Sequence, residues 1–168
     1  ERAIMAGYSL GGAIAQMTWS RQRSRVAGLV LCSTSRNAQG GISERLFFPF
    51  MNLATRSMRE YAAVRVSTKS ANLPDPHPFD KDDVTAWGRA EMATMSPWAI
   101  PLAMNAFGHF NSAPWIGEVD VPTAVVVTDQ DRVITTRRQL KLAESIPGAF
   151  VHRAPGGHTS IAFDVDNW

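Results

Sequence analysis

A serine with a glycine two residues to either side is the first feature of this chain that could do chemistry. The pentad Gly7-Tyr8-Ser9-Leu10-Gly11 follows a short apolar run from Ala3 and precedes residues that suit a helix. A serine at a tight turn from strand to helix exposes its hydroxyl at the carboxyl end of the strand. Gly7 and Gly11 are expected to leave room where strand and helix cross. We therefore interpret Ser9 as a nucleophile rather than as an ordinary serine in a glycine-rich turn.

Two aspartates could supply the acid that such a serine requires. A β-branched run over 121–128 predicts a buried strand, and Asp129 and Asp131 follow it directly. The carboxyl ends of parallel strands share one edge of a sheet, so a carboxylate here can lie beside Ser9. From the residues alone, either aspartate can hold a histidine at that edge.

The candidate base is His158. It follows Pro155-Gly156-Gly157, whose glycines allow a sharp turn after a predicted strand and leave the imidazole free to reach the same edge. His109 lies in a helix-like segment and His152 lies within the strand, so we interpret both as structural. Together the serine, histidine and aspartate predict nucleophilic catalysis with general-base assistance.

Other reactive side chains receive structural interpretations. Asp75, His77 and Asp80 lie in a proline-rich loop with no second cluster at metal-ligand spacing, so we expect neither a metal nor a cofactor. Cys32 ends an apolar run without a neighbour that would lower its pKa, and is expected to be a buried structural cysteine.

The elements that position these residues predict an α/β fold. Continuous apolar runs are typical of strands buried on both faces of a parallel sheet, and a helix after Ser9 links two of them in a βαβ unit. A helix capped by Thr135 or Thr136 is expected to run through Ser145. The predicted strands are the run from Ala3, residues 25–33, residues 121–128 and residues 149–153.

Residues 36–118 have a different character, with helix-like segments rich in Met, Phe and Trp and no strand-like run. We interpret them as a helical cap inserted between core segments 1–35 and 119–168. Asp80 is expected to begin a helix through about Met92, and Ser96 with Pro97 to begin another.

The apolar, flexible side chains of this insert suit a hydrophobic substrate, although each of them could equally serve only to pack the insert. Candidates for the substrate pocket are Tyr8, Trp98, Met104 and Phe107.

Composition limits the class of protein. The chain has 168 residues, 45% hydrophobic and 19% charged, as expected of one globular domain. Its net charge of +2 and scattered arginines do not suggest a nucleic-acid partner. No apolar run approaches the ~18 residues of a membrane span.

The lone cysteine favours a reducing, cytoplasmic compartment. Because a strand begins almost at Glu1, we expect a fragment whose targeting cannot be judged.

Three motifs together resemble the α/β-hydrolase superfamily. They are Gly7-Tyr8-Ser9-Leu10-Gly11-Gly12, the strand leading to Thr128-Asp129-Gln130-Asp131-Arg132-Val133, and Pro155-Gly156-Gly157-His158. They are similar to the family's nucleophile, acid and base motifs, and occur in the family's chain order. The resemblance covers nearly the whole chain, loosely in the cap and closely at these three places.

For the fold, the resemblance implies a partial α/β-hydrolase domain. A parallel sheet of about four strands would correspond to the family's strands five to eight, with the cap between six and seven. The triad would be Ser9, His158 and Asp131, because the family's acid usually lies three residues after a Gly or Thr that ends the strand, which favours Asp131 over Asp129. The Leu10 N–H would donate to the oxyanion. The family's other donor belongs to an earlier loop that these residues do not include.

For the activity, the resemblance implies hydrolysis of a carboxylic ester with a hydrophobic acyl or alcohol part. Serine at position 9 argues against the dehalogenase and epoxide hydrolase branches, which use aspartate there. Amide, thioester and carbon-carbon cleavage, perhydrolysis and the oligomeric state are left open. One alternative is a non-catalytic fragment or remnant without the oxyanion loop. Another is a relative that binds a small hydrophobic ligand without turnover, against which the complete triad argues.

Overall fold

The strands and helices follow the hydrophobic pattern of the sequence. A computed structural model describes residues 1–39, 42–56, 78, 83–94 and 99–160. The strands are β1 (Ala3–Tyr8), β2 (Val26–Cys32), β3 (Thr123–Thr128) and β4 (Phe150–Ala154). The helices are α1 (Leu10–Arg21), α2 (Ile42–Arg56), α3 (Val84–Thr94), α4 (Ala99–Gly108) and α5 (Thr136–Ala143). They form two compact units, Glu1–Gly40 with Phe110–Trp168, and Gly41–His109.

The first unit contains a parallel sheet. Within the described ranges, its strands follow the order β1-β2-β3-β4, and each pairs in parallel with the next. Tyr8 pairs with Cys32 at the end of β1, and Thr128 pairs with Ala154 at the end of β3. The residues that follow these strands therefore lie along one edge of the sheet. The predicted α/β fold with a parallel sheet of about four strands is confirmed.

A continuous core fixes the strands against their helices. Leu29 and Leu31 of β2 and Val125 and Val127 of β3 are almost completely buried. They belong to one apolar cluster that also includes Trp19 of α1 and Leu142 of α5. Burying a side chain of this size contributes about 1.5–3 kcal/mol. This packing fixes the strand ends, and hence the loops that follow them, in space.

The second unit consists of helices in its described part. α2 and α4 pack closely, because a Cβ added to Gly108 would lie 2.2 Å from the Phe48 ring. α3 begins after Asp83, whose Oδ1 accepts the Ala86 N–H at 2.8 Å in the manner of an N-cap. Asp80, Ser96 and Pro97, where two helices were predicted to begin, lie outside the described residues. None of the helices described is both long and apolar enough to cross a membrane.

The two ends of the predicted insert pair with each other. Ala38 N–H donates to the Phe110 carbonyl at 3.1 Å, and Ser112 N–H donates to the Arg36 carbonyl at 2.7 Å. Asn37 and Asn111 form an antiparallel bridge between these two hydrogen bonds. These flanking residues belong to the sheet unit, so the compact helical unit, Gly41–His109, is shorter than the predicted 36–118.

Small differences occur at the element ends. Thr135 occupies the N-cap of α5 without a side-chain capping bond, and the Thr136 hydroxyl donates instead to the Thr128 carbonyl at 2.9 Å. The predicted N-cap position at Thr135 is therefore confirmed, but its hydroxyl makes no capping hydrogen bond. α5 ends at Ala143 rather than Ser145, and β4 is shifted by one residue from the predicted strand.

Cys32 is buried at the end of β2. Its burial raises the pKa of the thiol, which disfavours the reactive thiolate.

Candidate active site

Ser9 connects β1 to α1 through a strained backbone. Its φ is 53° and its ψ is −117°, a positive φ that residues other than glycine rarely adopt. Its N–H donates to the Cys32 carbonyl at 2.9 Å, and its own carbonyl accepts the Gly12 N–H at 3.0 Å and the Thr34 hydroxyl at 2.8 Å. The tight turn predicted between strand and helix is present, and residues at the end of β2 hold it in place.

The backbones of β1 and α1 touch beside Ser9. A Cβ added to Gly7 would lie 2.2 Å from the Gly11 carbonyl oxygen, so any larger residue here would force the two backbones apart. A Cβ on Gly12 would lie 2.5 Å from Cγ2 of Thr34. A Cβ on Gly11 would meet nothing within 4 Å in the described part of the chain. The prediction that Gly11 must lack a side chain to leave room for the strand is therefore wrong. The close packing of the helix falls on Gly12 instead.

His158 lies between Ser9 and Asp131. Its Nε2 is 2.9 Å from Ser9 Oγ, and its Nδ1 is 2.8 Å from Asp131 Oδ2. The His158 side chain is 15% exposed and the Asp131 side chain is fully buried. Gly156, at φ 96°, turns the chain after β4 so that the imidazole reaches this edge. The structure thus brings together the three side chains singled out from the sequence.

The Asp131 carboxylate is surrounded by hydrogen-bond donors. Oδ1 accepts the Val133 and Ile134 N–H groups, each at 2.8 Å. Oδ2 accepts the Thr128 hydroxyl and the Gln139 amide, each at 3.0 Å, in addition to His158. A buried carboxylate stays ionised at low cost only when donors replace its water. Five donors therefore fix both oxygens of the Asp131 carboxylate beside the imidazole.

Asp129 has a different environment. Its Oδ1 is 2.5 Å from Arg153 Nη2 in an ion pair, and its side chain is 37% exposed. The sequence pattern allowed either aspartate to hold the histidine. In the structure, Asp131 is the one that contacts the imidazole.

The Leu10 N–H lies where an anion beside Ser9 would be favoured. Leu10 is the first residue of α1, and N–H groups in the first turn have no partner within the helix. The helix dipole adds partial positive charge at this end, and the first turn carries no acidic side chain.

Tyr8 holds the histidine loop. Its hydroxyl donates to the His158 backbone carbonyl, and the two ring centroids are 5.2 Å apart. Burial, and then the negative charge of Asp131, raise the pKa of the Tyr8 phenol above its usual value, so the proton that makes this bond is retained. The hydroxyl thus ties β1 to the loop of the base, and the predicted role of Tyr8 in a substrate pocket stays a prediction.

Sequence reasoning missed the polar residues behind the site. Thr34 supports Ser9, while Thr128 and Gln139 contact Asp131. Gln139 carried a usable signal, because it lies on the same face of α5 as buried Leu142 and Ala143. A polar side chain on the apolar face of a helix requires a buried partner.

The remaining candidates belong to the helical unit or fall outside the description. Met104 is exposed and Phe107 is half-buried on α4, and their assignment to a pocket stays a prediction. Trp98, Asp75, His77 and Asp80 lie outside the described residues. Among those described, no group of three or more His, Cys, Asp or Glu side chains could hold a metal ion.

Comparisons with known proteins agree with the fold. A family model described as alpha/beta hydrolase fold matches residues 1–165. An esterase from Thermogutta terrifontis, solved with malate bound, has a TM-score of 0.70 and 20% identity; the match covers 98% of this chain and 61% of that one. An enol-lactonase from Burkholderia xenovorans LB400 has a TM-score of 0.64 and 19% identity, over 98% of this chain and 62% of that one.

A hydrolase from Pseudomonas aeruginosa PA01 is similar to the same extent, with a TM-score of 0.66 and 20% identity over 98% of this chain and 61% of that one. The chain therefore spans about three fifths of the length of these three structures. At these identities the likeness shows the fold alone. No curated protein sequence matches the chain.

Gly7→Ala and Gly11→Ala form a matched pair that tests the contact between β1 and α1. Gly7→Ala should lower the free energy of unfolding by about 1–3 kcal/mol, because the added methyl group overlaps the Gly11 carbonyl. Gly11→Ala should leave it unchanged or raise it by up to about 1 kcal/mol, because alanine favours a helix. Urea denaturation measures both values. Equal effects of the two substitutions would contradict the assigned contact.

Tyr8→Phe tests the retained phenol proton. In an absorbance titration of tyrosine ionisation, the step that this substitution removes should have its midpoint above 10.0, the ordinary pKa of the group. Because the folded state favours the neutral phenol, its contribution to stability is complete below the unfolded pKa and is lost as the pH rises through the raised one. Tyr61, the other tyrosine of the sequence, titrates in both proteins. A removed step at or below pH 10 would count against the buried, hydrogen-bonded hydroxyl.

Proposed function

Because the chain belongs to the α/β-hydrolase family, we propose that it is a serine hydrolase that cleaves a carboxylic ester through an acyl-enzyme. The observation that carries this proposal is the unbroken hydrogen-bond chain from Ser9 Oγ through the His158 imidazole to the buried Asp131 carboxylate. A serine hydroxyl is a weak nucleophile until a base accepts its proton, and His158 Nε2 is within reach to do so.

In the proposed acylation, Ser9 Oγ attacks the ester carbonyl carbon while His158 Nε2 accepts the hydroxyl proton. Asp131 accepts a hydrogen bond from Nδ1–H, which selects the tautomer whose Nε2 lone pair faces Ser9. The same carboxylate stabilises the imidazolium that forms. The imidazolium then protonates the departing alkoxide, and the alcohol leaves.

Deacylation repeats these steps with water as the nucleophile. His158 Nε2 accepts a proton from water as the oxygen attacks the acyl carbonyl, and returns a proton to Ser9 Oγ when the acid is released. In both steps, the Leu10 N–H is proposed to donate a hydrogen bond to the negatively charged carbonyl oxygen. One such donor contributes about 3 kcal/mol to the transition state.

A hydrophobic acyl or alcohol part is the proposed substrate class. The segment between the two core segments of the sequence is rich in Met, Phe and Trp, and flexible apolar side chains of this kind suit a hydrophobic ligand. Two structural neighbours are described as an esterase and an enol-lactonase, which makes ester chemistry the first to test. Compounds with a thioester, an amide or a cleavable carbon-carbon bond are the alternative substrates to compare with esters.

A non-catalytic role is the alternative. In this fold the oxyanion hole uses two backbone N–H groups, and Leu10 is the one proposed from the described residues. Fluorophosphonate labelling of this 168-residue chain, and of a longer polypeptide that includes upstream residues, separates the two functions. Labelling of Ser9 in both would exclude the alternative for the chain by itself, whereas labelling of neither would favour it.

Ser9→Ala should abolish hydrolysis of a short p-nitrophenyl ester. The expected fall in kcat is at least about a thousandfold, because the acyl-enzyme cannot form. Ser24→Ala is the matched control, since Ser24 is exposed and lies in the turn between α1 and β2. Fluorophosphonate should label the wild type and Ser24→Ala but not Ser9→Ala. Wild-type turnover by a folded Ser9→Ala protein would refute the proposed nucleophile.

Asp131→Asn and Asp129→Asn test the choice of acid. Asp131→Asn should lower kcat by roughly four orders of magnitude, because an amide at this site favours the wrong imidazole tautomer. Asp129→Asn should change kcat by no more than a few-fold, because its exposed ion pair with Arg153 contributes little. Initial rates with the same ester measure both, and the reverse order of effects would reassign the acid.

A further inference from the structure

We propose that Gln139 and Thr128 are positioning residues that orient the Asp131 carboxylate toward His158. The inference rests on the proposed function, since it assigns a task to groups behind the proposed acid. Neither side chain transfers a proton in the proposed reaction, and both act through Asp131.

Gln139 lies on α5 and is fully buried. Its Oε1 accepts the Thr128 backbone N–H at 3.0 Å. Because a backbone N–H can only donate, this contact distinguishes the oxygen of the Gln139 amide from its nitrogen. The amide nitrogen therefore faces Asp131 Oδ2 at 3.0 Å, and it also reaches the Ile134 carbonyl at 2.6 Å. The side chain bridges the end of β3 and the loop that carries the acid.

Thr128 completes the arrangement from the last position of β3. Its hydroxyl lies 3.0 Å from Asp131 Oδ2 and 2.9 Å from the Gln139 amide nitrogen. A hydroxyl has one proton to donate, and the charged carboxylate is the stronger acceptor. Ser33, buried at φ 46° after β2, lies 3.1 Å from the same hydroxyl and can donate to it. The donors therefore run in one direction, from Ser33 through Thr128 to Asp131.

The atoms that these groups contact explain why they orient the acid rather than only fill space. The backbone N–H groups of Val133 and Ile134 hold Oδ1, but rotation about the Cβ–Cγ bond of an aspartate is otherwise broad. Oδ2 is the oxygen that accepts His158 Nδ1–H, and it is also the oxygen that Gln139 and Thr128 contact. Removing either donor weakens the restraint on this oxygen, so that it can shift relative to the imidazole.

Gln139→Met and Thr128→Val test the inference, because each removes donors while nearly preserving side-chain shape. Each should lower kcat for the p-nitrophenyl ester roughly tenfold or more, with KM within about twofold, since small misplacements of catalytic groups act on the chemical step. A second readout needs no turnover. The proton on His158 Nδ1, bonded to a carboxylate, should give a far-downfield proton NMR signal, which Asp131→Asn should remove and thereby assign. Both variants should shift or abolish this signal.

Gln16→Met and Thr123→Val are the matched controls. Gln16 is a second fully buried glutamine, which bonds Ser112 and the Ser35 carbonyl, and Thr123 is a buried threonine at the opposite end of β3 that bonds the Val121 carbonyl. These changes remove the same chemical groups from the core and should destabilise the fold in a similar way. They should leave the downfield signal in place and kcat within about twofold.

The outcomes separate this inference from the proposed function. Turnover that survives Ser9→Ala would overturn the proposed function, while the NMR comparison would still test the positioning. Serine-dependent turnover with a wild-type signal and kcat in Gln139→Met and Thr128→Val would overturn the inference alone. A loss of signal in the controls as large as in the two variants would also overturn it. If Gln139→Met fails to fold, Thr128→Val decides.

Discussion

The backbone contact between β1 and α1 is the constraint on which the site depends. Gly7 lies directly against the Gly11 carbonyl, and Ser9, the single residue between β1 and α1, spans this tight turn with a positive φ. Such a conformation costs of the order of 1–3 kcal/mol and persists only where the surroundings over-determine it. Here the buried sheet, the Cys32 carbonyl and the Thr34 hydroxyl do so. The hydroxyl of Ser9 is thereby held out toward His158 instead of folding back onto the helix.

Burial distinguishes two aspartates that are only two residues apart. Asp129 is partly exposed and paired with Arg153, and water can replace that partner at little cost. Asp131 is buried and accepts hydrogen bonds from two backbone N–H groups, two side chains and an imidazole. A carboxylate in this position cannot exchange its partners for solvent, so its direction is set by the fold. The proposed chemistry needs an acid of this second kind.

The fold and the convergence of Ser9, Asp131 and His158 could be predicted from the sequence, because apolar strand runs and residues after strand ends are local features. The choice between Asp129 and Asp131 needed a family pattern, since it depends on the loop that carries Val133 and Ile134. The bond of Tyr8 could not be predicted, because its partner is 150 positions away and leaves no local pattern. The same holds for the paired ends of the helical insert, whereas the position of Gln139 on the apolar face of α5 did leave a signal in the sequence.

The two residues after β2 support both halves of the site. Ser33 contacts Thr128, which contacts the acid, while Thr34 contacts the carbonyl of the nucleophile. A thermal displacement of this strand end therefore moves both supports in the same direction. The motions of the nucleophile and of the acid should therefore be correlated, so that the distance between Ser9 and Asp131 fluctuates less than the position of either residue.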